Sequence, residues 1–423
     1  MRITNLIKKT WQSKHVKQII SLLSVNLLGI PLGIITNIIV TRYLGAQLFG
    51  DYKYICSILN FAALVASLGF FQAGNRAIVL SKNKEETQRY YGALIAILAI
   101  LSIVMSSSLV LFSKLDHNIT NKGLSDFFIR IIPLGSITLW GLLYETVLPA
   151  NNQIGLLTKI RFYPKVINII IVCLLYIGTQ HLKWNKLLII LLLYNGSQLI
   201  LFLYVIFKIN PLFKACKGKI REIIDYNRTF GFDVYVGSLC AIGFGYLTEI
   251  LISYFGVNNI DVGFYSLAIA LTQPLSFVPS TIATTHYQSF ASLREIPRKL
   301  IMATISLSVC SVIALWLLVP PFIKLCYGNE FAPVIGINFF VCIAAFLHGL
   351  ADFYNRFIQA NGYGARLRNA SFIVGIATLL GSISLIPKYG AYGAAYAKII
   401  AGATYLFVIQ IYYKRTVKEL NHK

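Results

Sequence analysis

Charge is what this chain has least of. Only 13% of its 423 residues are Asp, Glu, Lys or Arg, and just 15 of them are acids. A soluble protein of this size covers itself with about 25% charged residues, so most of this surface faces something other than water. Apolar residues fill the gap, at 57% of the chain, with a mean hydropathy of +0.69. A set of soluble domains is excluded, and the fold class is an all-α polytopic membrane protein. The seven cysteines form no Cys-x-x-Cys or Cys/His ligand spacing, which removes both a disulfide framework and a zinc site. There is no Walker A pattern, no Asp-x-Asp pair and no His with an Asp five residues on. The chain therefore hydrolyses no ATP by itself, and neither a metal nor an organic cofactor is expected.

Apolar runs of about 18 to 24 residues, the length that crosses the hydrocarbon core, place twelve spans. Those of the first half are 19–40, 54–74, 91–113, 127–149, 166–180 and 187–207. Those of the second are 229–251, 262–283, 300–321, 334–355, 369–386 and 392–413. Ile19 to Val40 is too long for a signal-peptide core and reads as a retained first helix. Basic residues check the topology, because cytoplasmic loops hold the Lys/Arg excess. Alternate segments starting at 1–18 carry 28 of the 38 Lys and Arg, and the intervening loops carry 8. Both termini are expected in the cytoplasm, and the strong net charge of +23 is a topology signal rather than a nucleic-acid one. In residues 1–18, Ile3, Leu6, Ile7 and Trp11 at helical spacing beside Lys8, Lys9 and Lys14 suit a helix on the inner membrane face. A disordered basic tail fits the same residues. The expected organisation is a basic segment 1–18, a six-helix bundle 19–207, a connector 208–228, a second bundle 229–413 and a tail 414–423.

The halves are related by a repeated motif. Tyr43-Leu44-Gly45 followed by Gly50-Asp51-Tyr52 matches Tyr254-Phe255-Gly256 followed by Gly263-Phe264-Tyr265, offset by 211 residues. Both copies fall on the outer face, so the repeats are parallel, about an axis along the membrane normal. Gly29, Pro31 and Gly33, Gly243 and Gly245, and Pro274 and Pro279 are expected to break helices 1, 7 and 8, as in helices that bend or line a cavity. The plain alternative is that Gly and Pro are common in membrane helices.

The hairpin motif, the Gly69 to Arg76 end of helix 2, the Tyr327-Gly328-Asn329-Glu330-Phe331 loop and the run from Leu385 to Ala395 together resemble the polysaccharide transporter branch of the MOP flippase superfamily. The likeness covers nearly the whole chain and is nearest to the Wzx-type flippases, which carry undecaprenyl-diphosphate-linked repeat units of O-antigen, lipopolysaccharide or capsule. It implies two pseudo-two-fold six-helix bundles around a central cavity and alternating access across the bacterial inner membrane. It also implies an ion gradient of protons or sodium in place of a cofactor. The partners it implies are the lipid-linked oligosaccharide, the lipid bilayer, a polysaccharide polymerase and a chain-length regulator, and no nucleic acid. The motifs are mostly structural, so they speak to the superfamily more than to the cargo.

Ionisable residues within the spans are the site candidates, since each costs about 2.5–3.5 kcal/mol at the bilayer centre unless it meets water or a partner. Lys398 in helix 12 is the deepest cation; it could contact a cargo diphosphate, pair with an acid or snorkel to the interface. Arg130, three residues into helix 4, could likewise snorkel. Arg76 would be an ordinary inner anchor but for the resemblance, which makes it a cavity arginine. His348, Asp352 and Arg356 follow at i, i+4 and i+8, a single stripe of helix 10 that could move a proton or tie the helix to a neighbour. Glu145, Asp233 and Glu249 are further ion-coupling candidates, and Glu249 falls where sequences of the resembled family carry an acid. The many Tyr and Phe could stack on sugars or form interfacial belts.

Two rivals accompany the flippase reading. A polytopic enzyme of polysaccharide assembly would need a site on sizeable loops, whereas the longest connection is 208–228. A multidrug exporter of the same superfamily would have a more apolar cavity with acids for cationic drugs. The chain is read as a transporter and not an enzyme.

Overall fold

The computed structural model describes residues 14–178, 185–214 and 216–422. Residues 1–13, which carry most of the proposed surface helix, lie outside the described residues. Among the described residues there are helices and no strands. Ten helices among the described residues are long and apolar enough to cross a membrane. Two of them are interrupted by a glycine of positive φ, Lys14–Ala66 at Gly45 (74°) and Gly364–His422 at Gly390 (54°). The second break reverses the chain. A Cβ on Gly381 would sit 3.2 Å from that of Ala397, whereas sixteen residues of unbroken helix would span about 24 Å.

Divided at those glycines, the helices make twelve spans. They are α1 (14–44), α2 (46–66, followed by Phe70–Val79), α3 (Lys84–Leu115), α4 (Ser125–Asn151), α5 (Ile154–Gly178) and α6 (Lys186–Ile209). Then come α7 (Cys216–Phe255), α8 (Ile260–Thr285), α9 (Arg298–Tyr327), α10 (Pro333–Ala360), α11 (364–389) and α12 (391–422). The largest departures from the hydropathy spans are at α5, which starts at Ile154 instead of 166, and α7, which starts at Cys216 inside the expected connector. Both early stretches are rich in Lys and Arg, which lower hydropathy yet are good helix formers. Of the helices expected to break, α7 has π-helical turns at Asn227–Gly231 and Leu239–Gly243, and α8 has a 3₁₀ turn at Gln273–Ser276. Pro31 stays inside helical backbone in α1.

Two compact units result. Unit 1 runs to Tyr43 and then from Leu59 to Val236; unit 2 takes Leu44–Ile58 and everything from Gly237. In unit 1, α3 starts with a side-chain cap: Asn83 Oδ1 accepts from Glu86 N at 2.8 Å, and the Glu86 carboxylate accepts from Lys82 N, one residue before the cap, at 2.9 Å. The first turns of α7 dock on it through Lys219, whose ammonium lies 2.8 Å from Glu86 and 2.9 Å from Glu222 and sits over the Tyr90 ring. Lys219→Met would leave two carboxylates facing each other. It is expected to cost about 1.5–3 kcal/mol, the worth of hydrogen bonds to charged groups, seen as a lower midpoint in thermal unfolding of the purified protein.

Unit 2 is centred on most of the residues that carry the family resemblance; the Gly69 to Arg76 segment is in unit 1. A Cβ on Gly50 would fall 2.0 Å from the Asn259 carbonyl oxygen, and one on Gly263 would fall 3.1 Å from Gly50 Cα. The two copies of the repeated motif thus meet backbone to backbone, an approach only glycine permits. Beside them, Asn259 Nδ2 donates to the buried Asp51 carboxylate at 2.7 Å, and Ser253 donates to Asn259 Oδ1 at 2.6 Å. Phe331, from the Tyr327 to Phe331 loop, places its ring 6.1 Å from Phe49 and 5.9 Å from Phe264. Gly390 completes the group: a Cβ there would meet Asp261 Oδ2 at 2.8 Å. A second core gathers Phe290, Phe353 and Phe357 at centroid distances of 5.7–5.9 Å.

Candidate functional site

Within unit 2, α7, α8, α10, α11 and α12 enclose a cavity of about 270 Å³. His348 and Asp352 enter it from α10, one helical turn apart, and Lys398 enters from α12, eight residues beyond the Gly390 reversal. Tyr405, two turns further along α12, donates its hydroxyl to Asp352 Oδ1 at 2.9 Å and accepts from Asn355 Nδ2 at 2.6 Å. The His348 ring stands 5.7 Å from the Tyr405 ring. It fits against α12 because Gly402 has no side chain; a Cβ there would meet the imidazole at 3.1 Å. Thr248 and Ser382 share a hydrogen bond of 3.2 Å across the cavity wall.

Glu249, next to Thr248 in α7, is half-buried. Its carboxylate accepts from Ser266 Oγ at 2.8 Å and, in a short hydrogen bond, from Ser57 Oγ. It is close enough to Lys398 for the two charges to attract each other. The cavity therefore offers an ammonium, an imidazole, a carboxylate and a ring of hydroxyls inside otherwise apolar helices. Such a set can hold an anion on Lys398 or a cation or proton on the carboxylates.

Three sequence candidates, Lys398, His348 and Asp352, meet in this cavity, with Glu249 alongside. Arg356 lies one turn beyond Asp352, exposed, and bonds Gln359 at 3.1 Å. The other four candidates are in unit 1. Arg76 is exposed, with its guanidinium 4.8 Å from the Phe230 ring centroid. Arg130 and Asp233 are exposed on α4 and α7. Glu145 lies in the last α-helical turn of α4, two residues before Val147, and is paired with Arg161. Arg161 and Lys165 fall just before the hydropathy span at 166–180, and Asp51 falls within the repeated hairpin motif, so none of the three stands out among the charges of the spans. Their pattern was visible as Arg161, Lys165 and Asn168, at i, i+4 and i+7 among apolar residues. Tyr405 and Ser57 gave no comparable signal.

A family model described as "Polysaccharide biosynthesis protein" matches residues 15–293. Among solved structures, the chain is similar to the lipid II flippase MurJ in an inward closed conformation, with a TM-score of 0.74 and 13% identity, over 95% of this chain and 90% of that one. It is similar also to an inward-facing multidrug resistance MATE family transporter of the MOP superfamily, with a TM-score of 0.64 and 13% identity, over 96% and 99%. A MOP superfamily transporter from Pyrococcus furiosus aligns with a TM-score of 0.52 and 12% identity, over 96% and 94%. No curated protein matches the sequence. At these identities the likeness establishes the fold, which is that of the MOP flippases and transporters.

Proposed function

Because this chain belongs to the polysaccharide biosynthesis protein family, we propose that it is a flippase that carries undecaprenyl-diphosphate-linked oligosaccharide repeat units across the bacterial inner membrane. The observation that carries this reading is the cavity of unit 2, where Lys398 stands among hydroxyls, an imidazole and a carboxylate inside apolar helices. A diphosphate bearing several sugars would leave many polar groups unsatisfied in hydrocarbon, at several kcal/mol each. A protein that lowers that barrier has to offer polar groups of the opposite sign at membrane depth. Lys398, with Arg76, Arg130 and Arg356 elsewhere, would meet the anionic part of the cargo. Asp352 and His348, with Glu249, Glu145 and Asp233 as further acids, would take up and release the coupling proton or sodium ion as access alternates.

The distribution of Lys and Arg supports an orientation with both termini in the cytoplasm. A polymerase and a chain-length regulator would act on the delivered repeat unit. Deletion of the chain in its host, followed by analysis of lipid-linked sugars and surface polymer, tests the reading. Finished repeat units building up on the cytoplasmic side, with surface polymer lost, is the expected result. A missing repeat unit would point to an enzyme of its synthesis instead, and an unchanged lipid pool with new drug sensitivity would point to an exporter.

A further inference from the structure

Unit 1 has a cavity of its own, about 420 Å³, lined by α4, α5 and α6, within the size range of small-molecule clefts. Two cations enter it from one face of α5. Arg161 binds Glu145 side-on, with Nε 2.9 Å from Oε1 and 3.1 Å from Oε2 and a further bond from Nη2. Lys165, one turn on, has no carboxylate within ion-pair distance among the described residues. Its ammonium makes one hydrogen bond, 3.3 Å long, to the neutral Gly29 carbonyl. The missing side chain of Gly29 makes room for it, since a Cβ there would lie 2.9 Å from Nζ. Asn168 and Gln198 add neutral donors to the wall. Asn168 is buried and already holds Ser197 Oγ through its carbonyl, which leaves its amide group as a donor.

From this arrangement we propose that the unit 1 cavity is a binding site for a diphosphate group and that Glu145 is a built-in competitor for it. Two cations against one carboxylate leave the cavity one positive charge in excess. Residues at i and i+4 have Cβ atoms about 6 Å apart, so both side chains can reach one diphosphate, each holding one of its phosphates. A singly charged anion that takes the place of Glu145 merely exchanges one carboxylate for another of equal charge. A diphosphate bearing two charges reaches Arg161 and Lys165 together, so it displaces Glu145 with a net gain in charge-assisted hydrogen bonds. The reverse exchange expels the ligand: Glu145 returns to Arg161 and weakens the hold on the phosphate nearest it. The site thus selects for paired phosphates and releases them without a strong trap. Taking the diphosphate to be that of the carrier lipid rests on the proposed function, whereas the site itself does not.

The test uses the full chain in nanodiscs of phosphatidylcholine, with inorganic pyrophosphate as the probe and calorimetric titration as the readout. Pyrophosphate is expected to bind more tightly than orthophosphate, Lys165→Ala to weaken it about tenfold, and Glu145→Gln to strengthen it by a similar factor, as loss or gain of one charged partner implies. Gly29→Ala, which displaces Lys165 without changing any charge, should also weaken it. Competition by farnesyl diphosphate would support a prenyl-diphosphate source. Equal competition by phosphatidylglycerol in the disc would overturn the diphosphate assignment in favour of a bilayer headgroup. Unchanged or weaker binding in Glu145→Gln overturns the competitor role, and unchanged binding in Lys165→Ala overturns the site. If the host deletion accumulates repeat units while these variants bind pyrophosphate alike, the inference fails and the flippase reading stands. If the variants behave as expected but the deletion leaves lipid-linked sugars unchanged, the site stands and the flippase reading fails.

Discussion

Lys398→Met, at unchanged protein level, is expected to slow the transport proposed above about 10- to 150-fold, since a hydrogen bond to a charged group is worth about 1.5–3 kcal/mol. The substitution keeps most of the side-chain volume and removes the cation of the unit 2 cavity. It also takes away one of the two positive charges that act on Glu249, the other being Lys53. The two consequences can be separated. If Lys398 serves only to balance Glu249, the double variant with Glu249→Gln should recover most of the activity, because neither charge is then left alone. If Lys398 also meets the cargo, the double variant stays slow and the two effects do not cancel, which a double-mutant cycle measures. Asp352→Asn should produce a comparable loss, since Tyr405 then donates to a neutral amide. Surface polysaccharide restored in the deletion host is the measurement, and wild-type restoration by both single variants would remove the cavity from the mechanism.

Gly50→Ala should have the largest effect on folding of any single methyl group in unit 2. The added Cβ would fall 2.0 Å from the Asn259 carbonyl oxygen and 2.4 Å from its carbon, and a backbone oxygen cannot rotate aside as a side chain would. Relief requires the two motif copies to separate, which loosens the Asn259–Asp51 hydrogen bond and the packing of Phe49 on Gly263. Overpacking of this kind costs about 1–3 kcal/mol and sometimes more. Gly33→Ala is the matched control: a Cβ there meets nothing within 4 Å, and an alanine inside a helix stabilises by about 0.5–1 kcal/mol. A thermal scan of the detergent-purified variants should order them Gly33→Ala, wild type, Gly50→Ala, from most to least stable. A Gly50→Ala protein as stable as wild type would show that the contact is looser than this geometry.

The sequence made the spans legible because each is a long apolar run, and it made Lys398, His348 and Asp352 legible because charges are rare within such runs. That three of them share one cavity could not be read, since α10 and α12 are joined only through the reversal at Gly390. Arg161 and Lys165 were hidden for a different reason: their own charge lowered the local hydropathy, so the helix that carries them read as a loop. Ser57 and Tyr405 bond to the acids of unit 2, but Ser and Tyr are too common in membrane helices to stand out. The motifs behind the family resemblance proved informative in another way. Apart from the Gly69 to Arg76 segment, which lies in unit 1, they gather in one packing centre of unit 2, where Ala46 meets Glu330 and Phe49 meets Phe331. This explains why they identify a fold and say little about a cargo.

The exchange of Leu44–Ile58 into unit 2 also bears on how the chain can be divided. The backbone passes from one unit to the other three times, after Tyr43, after Ile58 and after Val236. A single cut in the middle therefore cannot yield two complete halves. A fragment beginning near residue 237 would lack the glycine that seats Gly263 and the carboxylate that Asn259 binds, while its complement would carry that segment with nothing to pack it against. Co-expressed halves should assemble only with each other, and neither should accumulate alone.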